Sequence, residues 1–143
     1  MTDSCVEATG TVLHAGEAIG RVLRLEAPLS FWGGVDESGT IIDRHHPQHG
    51  VTIRGRVLAM PSGRGSSSSA SVLAELLRTR HGPAAIVMAE ADAIVALGAI
   101  VAGELYDDAT PVVVLPAEQH ARLPDGARTT VHASGSSATI SWP

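Results

Sequence analysis

The stretch Val57-Leu58-Ala59-Met60-Pro61-Ser62-Gly63-Arg64-Gly65-Ser66-Ser67-Ser68-Ser69 decides the fold. Its first four residues form a short, uniformly apolar run, the mark of a strand buried on both faces. Pro61 and two glycines break that run, and an amphipathic helix is read from near Ser66. In that helix Ser69, Val72, Leu73, Leu76 and Leu77 share one stripe, Glu75 and Arg78 face outward, and Gly82-Pro83 supplies the stop.

Outward from this junction, Ala84 to Ala89 and Val112 to Leu115 repeat the apolar-run signature. Between them a second helix, roughly Ala91 to Glu104, carries Ile94, Val95, Leu97, Gly98, Ile100 and Val101 over more than one face, so we expect it to be largely buried. The flanks have shorter alternating segments. Thr11 to His14 and Ile19 to Leu25 lie around Ala15-Gly16, and Ala127 to His132 and Ala138 to Trp142 around Ser134-Gly135; each pair predicts a hairpin. The fold class expected is α/β, a parallel βαβαβ core with flanking β-hairpins.

At 143 residues, with 44% hydrophobic and 17% charged residues, the chain reads as one folded domain over 1–143, with residues 1–9 as a mobile terminus. A mean hydropathy of +0.16 is high for a small protein, and either a covering partner chain or many buried Ala and Val would produce it. The net charge of -5 and the lack of a basic cluster argue against a nucleic-acid surface. All ten basic residues are arginine, which genome composition explains more simply than function does. Met1 to Gly10 carries acids and no apolar stretch, and no run reaches membrane-spanning length, so we expect neither a signal peptide nor a membrane anchor and place the protein in the cytoplasm. Cys5 is the sole cysteine; one thiol cannot make an intrachain disulfide or hold a zinc site or iron-sulfur cluster by itself.

The chemistry concentrates where the first parallel strand meets its helix. Backbone N–H groups at a helix start, the helix dipole and close-approach glycines favour an anion there. Ser62 adds a hydroxyl and Arg64 a guanidinium that can grip a carboxylate or phosphate. A serine hydroxyl works as a base only if its anion is stabilised, which helix N–H groups and Arg64 can do. The bland alternative is a turn in which Gly fits and Ser caps. The loop is not a Walker, Gly-x-Ser-x-Gly or Gly-x-Gly-x-x-Gly pattern, which weakens nucleotide and serine-hydrolase readings.

A second constellation, Asp43-Arg44-His45-His46-Pro47-Gln48-His49-Gly50, lacks regular ligand spacing and reads as a structured loop rather than a metal site. Phe31 and Trp32 suggest core packing first and a subunit interface second, and Asp107-Asp108 a solvated loop.

The segments Phe31-Trp32-Gly33-Gly34-Val35-Asp36, Gly39-Thr40-Ile41-Ile42-Asp43, His46-Pro47, Gly50, Ala96 to Ala102 with Glu104-Leu105-Tyr106, and above all Pro61 to Ser68, resemble the small subunit, or swivel domain, of aconitase X proteins. The resemblance runs from about Gly10 to Leu115 and implies a swivelling β/β/α domain that closes over a larger catalytic subunit carrying an iron-sulfur cluster, with no cofactor bound by this chain. Members are dehydratases, the bacterial ones acting on cis-3-hydroxy-L-proline and the archaeal ones on mevalonate 5-phosphate. The family's proton acceptor is the first serine of Pro-Ser-Gly, which transfers to Ser62; the Ser-x-Arg form of ordinary aconitase matches Ser62-Gly63-Arg64 and gives Arg64 a substrate-carboxylate role. No role carries over to His45, His46 or His49.

Together these readings imply an α,β-elimination shared between two chains. Ser62 removes the proton next to the carboxylate of a small hydroxy acid, Gly63, Arg64, Ser66 and Ser67 bind substrate and steady the charge, and the large subunit's cluster polarises the departing hydroxyl. Of the two substrates 3-hydroxyproline is favoured, since a phosphorylated one calls for more positive charge than Arg64 alone. Two rivals are a phosphohistidine carrier, which needs a histidine that Pro61 to Ser71 lacks, and a non-catalytic anion-binding module working without a large subunit.

Overall fold

The computed structural model describes residues 6–143. Seven strands close into a barrel in the order β1-β5-β4-β3-β2-β6-β7. They are β1 (Val6–His14), β2 (Gly16–Arg24), β3 (Val57–Met60), β4 (Ala85–Met88), β5 (Val112–Val114), β6 (Arg128–Ser134) and β7 (Ser137–Trp142). The helical elements are a distorted single turn α1 (Phe31–Gly34), then α2 (Ser69–Arg78), α3 (Ala93–Tyr106) and the short α4 (Ala117–His120).

Strands β2, β3, β4 and β5 run parallel, in register Val22↔Val57, Leu58↔Ile86 and Val87↔Val113, so the expected βαβαβ unit is β3-α2-β4-α3-β5. All residues of β3 and β4 are buried, but on two different sides. Leu58, Met60, Ile86 and Met88 pack outward with Leu73, Leu76 and Leu77 of α2 and Val95 and Ala99 of α3. Val57, Ala59, Ala85, Val87 and Val113 point into the barrel, where Ala8, Ala133, Ala138, Val131, Ile140 and Trp142 fill the interior. The period-2 pleat separates the two sets: bulky side chains meet the helix layer, and many of the inward ones are small enough for a narrow closed barrel.

One expected hairpin forms and the other does not. β6 and β7 pair through Ser134↔Ser137, with Gly135 in the left-handed region at φ 61. β1 and β2, by contrast, pair with different neighbours, β1 with β5 and β7, β2 with β3 and β6. Ala15-Gly16 is therefore a corner of the barrel. A Cβ on Gly16 would collide with the carbonyl oxygen of Ala109, so the backbone passes too close to the segment before β5 for a side chain. Strand β1 is also paired from Val6 onward, which places Val6 to Thr9 in the sheet rather than in a mobile terminus; Cys5 lies outside the described residues.

Helix α2 starts at Ser69, three residues later than expected, and buries the predicted stripe, while Val72 is half-buried. Its Glu75 and Arg78 form an exposed ion pair. The expectation that the second helix is largely buried fails: α3 buries Val95, Ala96, Gly98, Ala99 and Ala102, and leaves Leu97 and Ile100 exposed. A helix apolar on every side has to pack on one face, and only one neighbouring layer is available here. No helix among the described residues is long and apolar enough to cross a membrane.

Beyond the strand ends, α4 places His120 in a buried position. Its Nε2–H donates to the Val87 carbonyl at 3.1 Å, and Arg24 Nη1 donates to the carbonyls of His120 and Leu123. Burial, helped by the nearby Arg24 guanidinium, holds the His120 pKa below the ordinary histidine range although the carbonyl contact pulls the other way. The unfolded chain then binds a proton more readily than the folded one, so stability is full above about pH 6.5 and declines as pH falls from there toward the lowered folded-state pKa. Urea unfolding at pH 7.5 and 5.5 should show this loss, and His120→Gln should flatten the difference; an unchanged slope in the variant would assign it to another group.

Candidate functional site

The loop after β3 is built as a clamped arch. The Pro61 carbonyl accepts N–H bonds from Ala89 and Glu90, each at 3.0 Å, which fastens the loop to the end of β4. Gly63 bridges in parallel to Leu29. A Cβ on Gly63 would lie 2.5 Å from Asp92 Oδ2 and 2.7 Å from Val95 Cγ2, so only glycine lets the loop lie against the start of α3. Gly65, at φ 99, sits equally close to Ser30 Oγ on the other side. The loop is thus held between the Leu29–Trp32 segment and the N-terminus of α3.

Two side chains that the sequence reading did not assign to the site hold these walls. Asp92 caps α3, its Oδ1 accepting from the N–H groups of Ile94 at 2.9 Å and Val95 at 3.0 Å. An aspartate directly before an apolar helical run was the available signal. Ser69 is buried and its Oγ accepts from the Trp32 N–H at 3.2 Å, fastening the Phe31–Gly34 turn to the first residue of α2. Nothing local in the sequence marks that pairing. Phe31 is core, whereas Trp32 is exposed.

The residues picked out from the sequence lie together on this arch. Ser62 is half-buried, and its hydroxyl has no hydrogen-bond partner among the described residues. Arg64 and Ser67 are exposed, and Ser66 is half-buried. The late start of α2 changes which amides are open. Ser66 Oγ accepts from Ser68 N–H at 3.1 Å, and the N–H groups of Ser69 and Ala70 are taken by the carbonyls of Ser66 and Ser67. The N–H groups of Ser66 and Ser67 themselves have no acceptor among the described residues. The open donors belong to the serine turn and not to the helix proper, and they lie near a free hydroxyl and a free guanidinium. Such a set can receive a carboxylate and stabilise a developing oxyanion.

The other candidates separate from this site. His46 is buried; its Nε2–H donates to the Ala27 carbonyl and its Nδ1 accepts from Gln48 N–H, so that loop is held by its own side chains. Among the described residues no three His, Cys, Asp or Glu side chains gather as metal ligands. A groove of about 770 Å³ runs along α2 between Val35–Ser38 and Val72, Glu75 and Arg78, without Ser62 or Arg64 in its walls. Asp107 ends α3 in the left-handed conformation and is exposed, as expected of a solvated loop, whereas Asp108 is half-buried and its Oδ1 accepts from the Thr110 N–H and hydroxyl, so it pins the turn before β5.

A family model described as the aconitase X swivel domain matches residues 7–141. The chain is 49% identical, over 80% of its length, to the cis-3-hydroxy-L-proline dehydratase of Pseudomonas aeruginosa, but spans only 21% of that longer protein. It is 41% identical to the phosphomevalonate dehydratase small subunit of Methanothermobacter thermautotrophicus, covering 79% of this chain and 82% of the relative. The crystal structure of aconitase X from Thermococcus kodakaraensis superposes with a TM-score of 0.82 at 32% identity, over 94% of this chain and 98% of that one.

Replacing Gly63 with Ala should displace the Asp92 carboxylate from its cap and cost about 1–3 kcal/mol in denaturant unfolding. The same substitution in an Asp92→Ala background should cost less, because one of the two obstructing groups is gone. Strict additivity of the two variants would show that Gly63 and Asp92 do not constrain each other.

Proposed function

This chain belongs to the aconitase X swivel-domain family, and on that footing we propose that it is the small subunit of a hydro-lyase that dehydrates cis-3-hydroxy-L-proline, with Ser62 as the proton acceptor. The observation that carries the reading is the half-buried Ser62 hydroxyl, without a hydrogen-bond partner among the described residues, beyond the carboxyl end of β3 and beside the exposed Arg64. Ligands of parallel α/β sheets gather at that end.

The chain's own atoms supply the following steps. Arg64 pairs with the substrate carboxylate, a charge-assisted contact that fixes the adjacent C–H toward Ser62. Ser62 Oγ, held as its anion by Arg64 and the open amides of Ser66 and Ser67, takes the proton. The electron pair of the broken C–H bond becomes the new C=C bond as the β-hydroxyl leaves; tautomerisation of the resulting enamine gives the cyclic imine 1-pyrroline-2-carboxylate. The chain's one cysteine, Cys5, cannot hold an iron-sulfur cluster by itself and no metal ligands gather among the described residues, so we assign any cluster to the large subunit.

The exposure of Arg64 and Ser67 supports a site completed by a second body, since water must be excluded for an alkoxide base to persist. We therefore propose a heterodimer with a large aconitase X subunit, inactive when separated. A second reading, dehydration of mevalonate 5-phosphate, is supported by the 41% identity to the archaeal small subunit. The described loop offers a phosphate only one guanidinium, which favours the imino acid.

The test is reconstitution with the large subunit encoded in the same genome, with each substrate supplied separately. Ser62→Ala should lower kcat by about 10³-fold with assembly unchanged, and Arg64→Gln should raise KM for the carboxylate substrate. Retention of more than a tenth of the wild-type rate by Ser62→Ala would remove it as the base, and turnover of the phosphate alone would reverse the substrate order.

A further inference from the structure

Helix α3 presents a face that its own fold leaves uncovered. Ala93, Leu97, Ile100 and Glu104 are exposed and follow the 4-3-4 spacing of a packing seam, with Ile94 and Val101 half-buried along its edge. Leu97 is 47% and Ile100 41% exposed, and Glu104 is the only charged residue in the whole helix. Surface helices ordinarily carry charges on the outward side, so an outward seam of this composition fits a protein partner better than water.

We infer that the 93–104 seam of α3 is the surface on which the large catalytic subunit docks. This rests on the partnership proposed above and adds where the partner sits. Two observations select that occupant. The seam begins at Ala93, directly after the Asp92 that Gly63 lies against, so its first turn adjoins the serine arch, while Val95 meets the arch from the opposite, buried face of α3. In the Pseudomonas aeruginosa dehydratase most of the polypeptide lies outside the region matched here, so the same module must carry a much larger body. Trp32, 59% exposed on the far flank of the arch, gives the polar loop an apolar border on its other side. An apolar seam leading to a polar, water-excluded centre is the arrangement of a specific interface.

The experiment titrates the full chain against the large subunit from the same genome by calorimetry. Glutamate is a good helix former, so Leu97→Glu and Ile100→Glu should retain α3, which circular dichroism checks. Each should weaken binding at least tenfold and the pair at least a hundredfold. Ile19→Glu, at an exposed site on β2, should stay within twofold of wild type. As a measure independent of those variants, Leu97→Cys in a Cys5→Ser background should be alkylated at least tenfold more slowly in the complex.

Wild-type affinity in the Leu97→Glu/Ile100→Glu pair, or unslowed alkylation, would overturn the surface while leaving the partnership standing. Failure of the unaltered chain to bind the large subunit would overturn the partnership and the surface with it. Self-association of the isolated chain, abolished by Leu97→Glu while the large-subunit affinity is untouched, would give the seam to a second copy and also overturn the inference.

Discussion

The rest of the structure depends on the two-sided burial of β3 and β4. Leu58, Met60, Ile86 and Met88 fit the helix layer, and Val57, Ala59, Ala85 and Val87 fit the barrel interior. A one-residue slip would exchange the sets and drive methionine and leucine into a space partly filled by alanines, so the register is strongly determined. That register fixes where β3 ends, and the Pro61 carbonyl, held by Ala89 and Glu90 beyond β4, carries the same precision one step into the loop.

From there the arch is shaped by proximity on both sides. Gly63 against Asp92 and Gly65 against Ser30 leave no room for side chains, while Ser69 holds the Trp32 backbone. The groups that remain free, the Ser62 hydroxyl, the Arg64 guanidinium and the Ser66 and Ser67 amides, have no competing protein partners among the described residues. Rigid walls around unsatisfied donors are what a preorganised oxyanion site requires, because no reorganisation is then needed as charge develops. The helix that walls the arch through Asp92 and Val95 carries the exposed Leu97 and Ile100 on its other face.

The histidines divide by what surrounds them. His120 and His46 are buried and spend their ring hydrogens on backbone carbonyls, which makes them structural pins. His45 and His49 remain exposed. Adjacent histidines on a turn diverge, and here only one of the pair turns inward.

Local patterns in the chain settle the strands, α2 and α3 in their order, but not the short α1 and α4. Apolar runs, the α2 stripe, the Ser134-Gly135 turn and the polar junction at Ser62 are local patterns whose cause lies within a few residues. Tertiary structure alone decided how those elements were shared out. Ala15-Gly16 reads as a hairpin because two alternating segments flank it, yet pairing energy is gained equally with other strands, and barrel closure gives β1 and β2 different neighbours. Likewise α3 is apolar on every side, so its pattern names no inward face; the position of β3 to β5 chose Val95, Ala99 and Ala102, and left Leu97 and Ile100 outside. Asp92 and Ser69 joined the site for the same reason: contacts across long separations arise from packing geometry, which local periodicity does not encode.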